Sequence, residues 1–313
     1  MEKAIPQKEP MTSTPPAPEP LDADRLGGLY DEARAHEDAG ESDAAAALFH
    51  QCLALDPADH CGVTIRLAAM GAVPTPQKAP DAYVATLFDQ HAAAFDKILT
   101  QDLGYAVPTQ IADMVQAHGI GPLGHVLDLG CGTGLCGLAL NGIYDHLVGV
   151  DLSEKMIDEA HERDVYDLLY KHEAIAFLDD WYRASQTPAL KTDYHPFDTI
   201  IAADVLPYIG ALEPLAAGIA AVLAPGGRFI FSCETLADEA FTERGWTLTG
   251  QQRFAHHHDY LTTCFGAVGF TSILHREAIC VRFEEGVPLP GYLMMISSPA
   301  PGSSGDGGAP ANG

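Results

Sequence analysis

The run His125–Leu140, HVLDLGCGTGLCGLAL, constrains this chain more than any other stretch. A short apolar segment ends in glycines at 130, 132 and 134, and the residues after them read as the start of a helix. An apolar run of that length, bounded by glycine, is the signature of a buried strand. The turn between such a strand and a helix lies at the carboxyl end of a parallel strand, where open α/β sheets bind their ligands. Glycine lets the backbone approach a ligand with no side chain in the way. Amides at the helix start then face any anionic group placed there.

The rest of the second half repeats this alternation. Apolar runs near 125–129, 147–151, 166–171, 198–203, 228–233, 271–281 and 291–297 read as strands, most of them separated by helical stretches. Such alternation requires crossover connections, hence a mainly parallel, Rossmann-like α/β sheet of seven strands with helices on both faces. The last two runs are joined by FEEGVPLPG, which has no helical pattern and predicts a terminal hairpin at a sheet edge. LVGVDLS, Leu147–Ser153, is a second strand ending in an acid, and Asp151 stands 21 residues after Gly130. That spacing suits a carboxylate accepting from both hydroxyls of a ribose.

Taken with FDTIIAADVL on the fourth run and LAPGGRFIFS on the turn and strand after it, these segments resemble the class I S-adenosylmethionine-dependent methyltransferases over about residues 119–298. The rival for the loop is the nicotinamide fingerprint GxGxxG. Here the third glycine falls two residues after the second and position 135 is Leu, which favours the methyl donor. The resemblance implies roles. Gly130, Cys131, Gly132 and Gly134 would curve around the methionine end of S-adenosyl-L-methionine, and Asp128 would hold its ammonium directly or through water. Asp151 would accept from the ribose, and Leu152 and Met156 would sandwich the adenine. Glu173 and Ala174 would address the adenine edge, although YKHEAIAFL departs from the commoner Gly-Asp ending. Asp204 and Tyr208 would sit near the transfer centre. No Asn-Pro-Pro-Tyr run follows the fourth strand; without that sign of nucleobase amino methylation, O-, N-, S- and C-acceptors stay open.

A base is needed only if the acceptor must lose a proton. Two segments offer one. RFAHHHDY carries Arg253, His256, His257, His258, Asp259 and Tyr260, and the helix before the sheet carries Tyr83, Phe88, Asp89, His91 and Phe95. His256, Tyr260, Tyr208 and His91 are the catalytic candidates. Arg253 could pair with a substrate carboxylate or offset the surrounding acid. The spacing of Phe88, His91 and Phe95 puts them on or near one helical face, either as a lid over the substrate or as ordinary core anchors. The His run reads either as substrate-contacting or as a solvated junction with Asp259 helping to cap a helix. No metal is expected, because adjacent histidines cannot all face one ion unless the backbone bends sharply.

In front of this lies a helical region at 21–71. LGGLYDEARAHEDAG and SDAAAALFHQCLAL flank Gly40, Ser42 is placed to cap the second helix, and Asp56-Pro57 ends it. DHCGVTIRLAAMG begins a third helix. Gly40, Ala45, Phe49 and Pro57 sit at tetratricopeptide offsets, so the unit resembles one such repeat, and the chain as a whole resembles bacterial methyltransferases that carry a tetratricopeptide segment. A lone repeat cannot bury a core. It reads as a packing appendage or as a groove for a protein partner. AVPTPQKAP, 72–80, is a Pro-rich linker, 81–118 is a helical lid region, 119–300 is the methyltransferase domain, and 1–20 and 301–313 are tails of disordered composition.

A formal charge of −26 repels phosphate backbones, so neither nucleic acid nor an anionic membrane is an expected partner. The N-terminal segment lacks the apolar stretch of a secretory signal. The seven scattered cysteines, with no CxxC, fit free thiols in a reducing cytoplasm. Oligomeric state is not legible. The favoured expectation is methyl transfer to a small molecule. A protein methyltransferase recruiting through the helical unit and a non-catalytic scaffold are the alternatives, and a retained ribose acid argues against the scaffold.

Overall fold

The computed structural model describes residues 22–97, 99, 103–187, 194–284 and 286–299. The expected tails lie outside these residues. The chain divides into two compact units, the first ending at Pro57 and the second starting at Ala58.

The first unit is all-α. Helix α1 (Ala23–Asp38) is capped by Asp22, whose carboxylate accepts from the Arg25 amide at 3.1 Å. Gly40, at φ 77°, turns the chain into α2 (Ser42–Leu55). Ser42 is not the cap. The cap position is Glu41, with no side-chain bond, and Ser42 is already the first helical residue. Small residues on facing sides, Ala33 and Ala45, are fully buried, and the Tyr30 and Phe49 rings meet edge to face at 5.8 Å. The chain leaves the helix at Asp56, just before Pro57.

The second unit begins with α3 (Val63–Ala69). Helix α4 (Asp81–His91) continues through a tight turn at Ala92–Ala94 into the short α5 (Phe95–Lys97), and α6 (Val107–Ala117) follows. The sheet then alternates with helices: β1 (His125–Leu129), α7 (Leu135–Ala139), β2 (His146–Asp151), α8 (Glu154–His161), β3 (Leu168–Lys171), α9 (Ala174–Gln186), β4 (Phe197–Ala202), α10 (Glu213–Val222) and β5 (Leu223–Glu234). These five strands are parallel in the order β3-β2-β1-β4-β5. The terminal hairpin is β8 (Ser272–Glu284) and β9 (Val287–Ser297), with β9 antiparallel to β5 and β8 outside it.

Strand alternation sends neighbouring residues to opposite faces, and two cores result. Leu127, Ile200, Phe229 and Met294 pack on the side of α9, α10 and α11 (His258–Ala267), while Val126, Ile201, Ile230 and Met295 pack on the side of α6 and α7. That is the two-faced sheet expected from the sequence.

The sheet has nine strands among the described residues, not the expected seven. The additional two form a hairpin, β6 (Trp246–Leu248) and β7 (Phe254–His256). Three residues each are too few for a period of two to stand out in sequence. β7 pairs in parallel with the end of β5 at Glu234, which runs past the last residue of β4. No described helix is long and apolar enough to cross a membrane.

Candidate active site

A cleft enclosing about 1000 Å³, partly open to solvent, lies at the carboxyl ends of β1, β2 and β4. Its floor is the glycine loop. Gly130, Cys131 and Gly132 line it, and the Gly130 and Cys131 amides donate to Val150 O at 2.7 and 2.9 Å. Gly130 has a left-handed backbone, and a Cβ there would lie 2.4 Å from Val205 Cγ2. Gly134 is the left-handed residue that starts α7 and lies behind the lining.

Asp151, at the tip of β2, lines the cleft beside Leu152. Its Oδ2 accepts from the Gly132 amide at 2.9 Å and its Oδ1 from the Ser153 amide at 2.8 Å. Burial pushes its pKa up, while the amides of Ser153, Gly132 and Leu152 pull the other way. A carboxylate has about four lone-pair sites, so these amides leave acceptor capacity for a hydroxyl donor from the cleft. Glu173 and Ala174 line the same end. Glu173 caps α9, accepting from the Ala176 amide at 2.7 Å, and also receives Lys78 Nζ at 3.2 Å.

Three expected cofactor contacts, Gly134, Met156 and Asp128, do not line the cleft. Met156 is fully buried on the inner face of α8, so Leu152 alone offers the cleft an apolar face there. Asp128 is 1 % exposed beneath the loop, where its Oδ2 accepts from Tyr166 Oη at 2.7 Å and its Oδ1 has no partner. Burial raises its pKa to about 7, against the pull of the Tyr166 hydroxyl.

Over the cleft run α4 and α5. Phe88 and Phe95 line it and meet edge to face at 5.6 Å. Two aspartates on this segment grip the ligand-facing loops. Asp89 accepts from Ser153 Oγ at 2.5 Å. Asp96 accepts from Thr133 Oγ at 2.5 Å and from Arg163, whose Nε also donates to Thr133 O at 3.0 Å. His91, expected as a candidate base, is exposed, bonded to Leu87 O, and does not line the cleft.

The segment read as a linker takes part as well. Ala79 N donates to Tyr208 O at 2.8 Å, Gln77 O accepts from the amides of Gly210 and Ala211, and Lys78 bridges to Asp81 at 2.8 Å. Lys78 lines the cleft. Prolines masked this contact, since they suppress any periodic signal.

After β4, Asp204 and Tyr208 line the cleft and rest on a buried cluster of charges. Arg253 donates through Nε to Glu234 Oε1, through Nη1 to Tyr208 Oη and through Nη2 to Asp204 Oδ1, each at 2.6 Å. Arg282 Nη1 lies 3.6 Å from both carboxylates. Burial works against the Arg253 charge, but Asp204, Tyr208 and Glu234 outweigh it and hold the guanidinium protonated. Burial moves Tyr208 to about 12 despite Arg253, so its phenol is neutral near pH 7. Asp204 itself sits at φ 59°, a strained setting of the kind found at functional sites. Glu234 and Arg282 escaped the sequence reading because Glu234 falls two residues past the LAPGGRFIFS segment and Arg282 lies on a strand with no motif around it.

The other residues of the His run face elsewhere. His256 is fully buried, and its Nε2–H donates to Ile209 O at 2.9 Å and Gly210 O at 3.2 Å. Burial lowers its pKa to about 4, so it is neutral, but it does not line the cleft. Tyr260 accepts from the Leu212 amide at 2.7 Å and donates to Glu213 at 3.0 Å, also away from the cleft. Neither faces the cleft as expected of a base: β7 and the first turn of α11 aim these side chains at the β4–α10 connection. His257, rather than Asp259, caps α11. Adjacent histidines do converge here, because the chain turns from extended to helical between them. Asp238, His257 and His258 place ligand atoms within 4.8 Å of one another. Since His257 Nδ1 accepts from the Asp259 amide, its proton is on Nε2, 3.3 Å from Asp238, and the group is satisfied without an ion.

Comparison with known proteins agrees with this geometry. Residues 126–227 match the methyltransferase domain family. The chain is 32 % identical over 108 residues to ubiquinone biosynthesis O-methyltransferases of Coxiella burnetii strains, a match over 34 % of this chain and 42 % of theirs. It thus spans under half the length of the curated relatives it matches. Among solved structures, it is similar to N-methyltransferase NodS from Bradyrhizobium japonicum WM9 with S-adenosyl-L-homocysteine (TM-score 0.50, 15 % identity, 69 % of this chain and 98 % of that one). It is also similar to the Burkholderia thailandensis 1,6-didemethyltoxoflavin-N1-methyltransferase (TM-score 0.50, 18 % identity, 72 % and 93 %). Residues 126–227 therefore form a methyltransferase domain, and the sheet around them has the mainly parallel α/β methyltransferase fold.

Proposed function

We propose that this protein is an S-adenosylmethionine-dependent methyltransferase acting on a small-molecule acceptor. The observation that carries the reading is Asp151. It is a carboxylate lining the cleft at the tip of β2, held by the Gly132 and Ser153 amides with acceptor capacity to spare for a ribose. The unpartnered Asp128 Oδ1 beneath the loop adds a free acceptor, and a cationic ligand nearby would favour its ionised form. Glu173 and Ala174 offer polar and backbone groups at the end lined by Asp151, and Leu152 offers an apolar face for a flat base.

The cofactor would bring an electrophilic methyl on a sulfonium, transferred by in-line displacement. What the chain supplies is position and dryness. Phe88, Phe95, Val84 and Ile209 exclude water from the cleft. The Cys131 and Cys136 thiols line it too, but burial raises their pKa well above the ordinary value, so they stay protonated and are not competing nucleophiles. No histidine reaches the middle of the cleft. His172 stands at the adenine end, bonded at Nδ1 to Glu173 O. The reading therefore favours an acceptor that arrives as a competent nucleophile. The partial likeness to a ubiquinone biosynthesis O-methyltransferase supports a small acceptor.

Isothermal titration of the folded protein with S-adenosyl-L-homocysteine tests this. Micromolar binding that Asp151→Ala weakens at least tenfold is expected; no heat at hundreds of micromolar ligand would refute it.

A further inference from the structure

We propose that Tyr208, locked by Arg253 as a one-way hydrogen-bond donor, makes the cleft select uncharged acceptor molecules that present a hydrogen-bond-accepting oxygen or nitrogen to its phenol. This rests on the methyltransferase reading and narrows it to a substrate class.

Arginine carries donors only, so its bond to a phenol fixes which way that bond runs. Arg253 Nη1 donates to Tyr208 Oη at 2.6 Å and occupies the acceptor side of the oxygen. The phenol proton is left over, and no described group receives it. Because Tyr208 lines the cleft, that proton is available to a ligand there. The ring is held as well. Phe88 meets it edge to face at 5.4 Å, and the Arg253 guanidinium carbon lies 4.9 Å from its centroid.

The charges beneath explain why an anion is refused. Arg253 and Arg282 are set against Asp204, Glu234 and, at Arg282, Glu284, two cations against three carboxylates, and Lys78 is set against Asp81 and Glu173. Among the described residues no cation on the lining is left over. A carboxylate or phosphate brought into the cleft would lose its water and gain no counter-ion from the protein. A buried cluster of this kind adds little to stability compared with an apolar core. Its effect on this cleft is to orient one phenol while leaving neither of its own cations unpaired. Arg253 is thus a positioning residue, and Tyr208 the specificity-determining one.

Three fragments with one phenyl ring separate the possibilities: acetophenone offers a neutral acceptor, ethylbenzene none, and benzoate a carboxylate. Their binding is measured on the full chain saturated with S-adenosyl-L-homocysteine, by ligand-observed NMR titration. Acetophenone is expected to bind about tenfold tighter than ethylbenzene, the equivalent of one hydrogen bond of about 1.4 kcal/mol, and benzoate to bind weakest. The acetophenone-to-ethylbenzene ratio, taken in each variant's own cofactor-product complex, should fall to near one in Tyr208→Phe and fall partway in Arg253→Lys. A merely structural role would weaken both fragments together and leave the ratio alone. The inference is overturned if benzoate matches acetophenone, if Tyr208→Phe keeps the ratio, or if acetophenone shows no saturable binding at low-millimolar concentration. The wild-type ranking decides the matter even if a variant does not fold. Failure of S-adenosyl-L-homocysteine to bind would remove the methyltransferase reading and this inference with it; a bound product with a flat ratio removes this inference alone.

Discussion

Asp89 Oδ1 accepts from Ser153 Oγ at 2.5 Å, which ties the helix over the cleft to the cap of α8, two residues from Asp151. The same oxygen also takes the Lys155 amide at 3.3 Å. Opening the cleft at this edge must break these bonds. Asp89→Ala should therefore speed release of S-adenosyl-L-homocysteine about fivefold, the worth of a net hydrogen bond of roughly 1 kcal/mol. Asp89→Asn, which keeps an acceptor, should fall between. Stopped-flow displacement measures the rate. An off-rate unchanged in Asp89→Ala would show that α4 does not gate the ligand.

Asp128 makes the empty protein less stable at neutral pH than in mild acid. Its pKa rises on folding from the ordinary 3.8 to about 7, mainly by burial. Between those values the native state holds a proton that the unfolded chain has released, so this group's contribution falls as pH rises from about 4 to 7. Asp128→Asn removes that loss. Its apo form should be more stable than the parent at pH 8, by on the order of 1–3 kcal/mol, and no more stable at pH 4. Urea titrations at the two pH values check the sign. If Asp128 meets the cofactor's positive charge through water, the same variant also loses cofactor affinity.

The parts legible in sequence were those that obey a period or a motif. The five parallel strands and the final hairpin each run for at least four residues with apolar faces, and all were readable. Asp151 and the glycines were readable because chain order and space coincide there. Arg253 was visible only as a scarce cation. Its partners Glu234 and Asp204, and the second cation Arg282 beside them, come from strands or strand ends far apart in the chain, and the hairpin that delivers it is built from strands of three residues. His256 misled for a related reason. A histidine beside a motif-like run looks chemical, but only burial and the two carbonyls at Ile209 and Gly210 show that it is a strut.

That strut sets an acid limit. His256 is held neutral, with its pKa lowered to about 4 from the ordinary 6.5 by burial, partly offset by the two carbonyls. Between those values the unfolded chain binds a proton that the native state excludes, so this group's contribution is complete above about pH 6.5 and is lost as pH falls toward 4. His256→Gln should flatten that part of the stability curve, at some cost at pH 7 from imperfect bonding to the two carbonyls. Thermal melts at half-unit steps from pH 4.5 to 7 check it. An equal slope in both proteins would mean that His256 charges freely in the native state.

The glycine loop separates folding from binding at two neighbouring positions. At Gly130 a Cβ would lie 2.4 Å from Val205 Cγ2, and φ is 72°. Gly130→Ala should be destabilised by about 2–4 kcal/mol, combining a left-handed backbone with an overpacked contact, and Val205→Ala should recover the contact part. At Gly132, φ is 53°, but a Cβ would meet only Phe95 Cε1, at an ordinary 3.8 Å. Gly132→Ala should then cost only the backbone term, about 1–2 kcal/mol. Its Cβ would point into space that lines the cleft, and its amide is the one Asp151 holds at 2.9 Å. The expected result is a folded Gly132→Ala protein with at least tenfold weaker S-adenosyl-L-homocysteine binding, beside a Gly130→Ala protein that melts early. Calorimetry with and without the ligand gives both numbers for each variant. A Gly132→Ala protein that binds as the parent does would mean that the ligand does not come within reach of this loop, and the assignment of the glycines to a ligand cradle would fail.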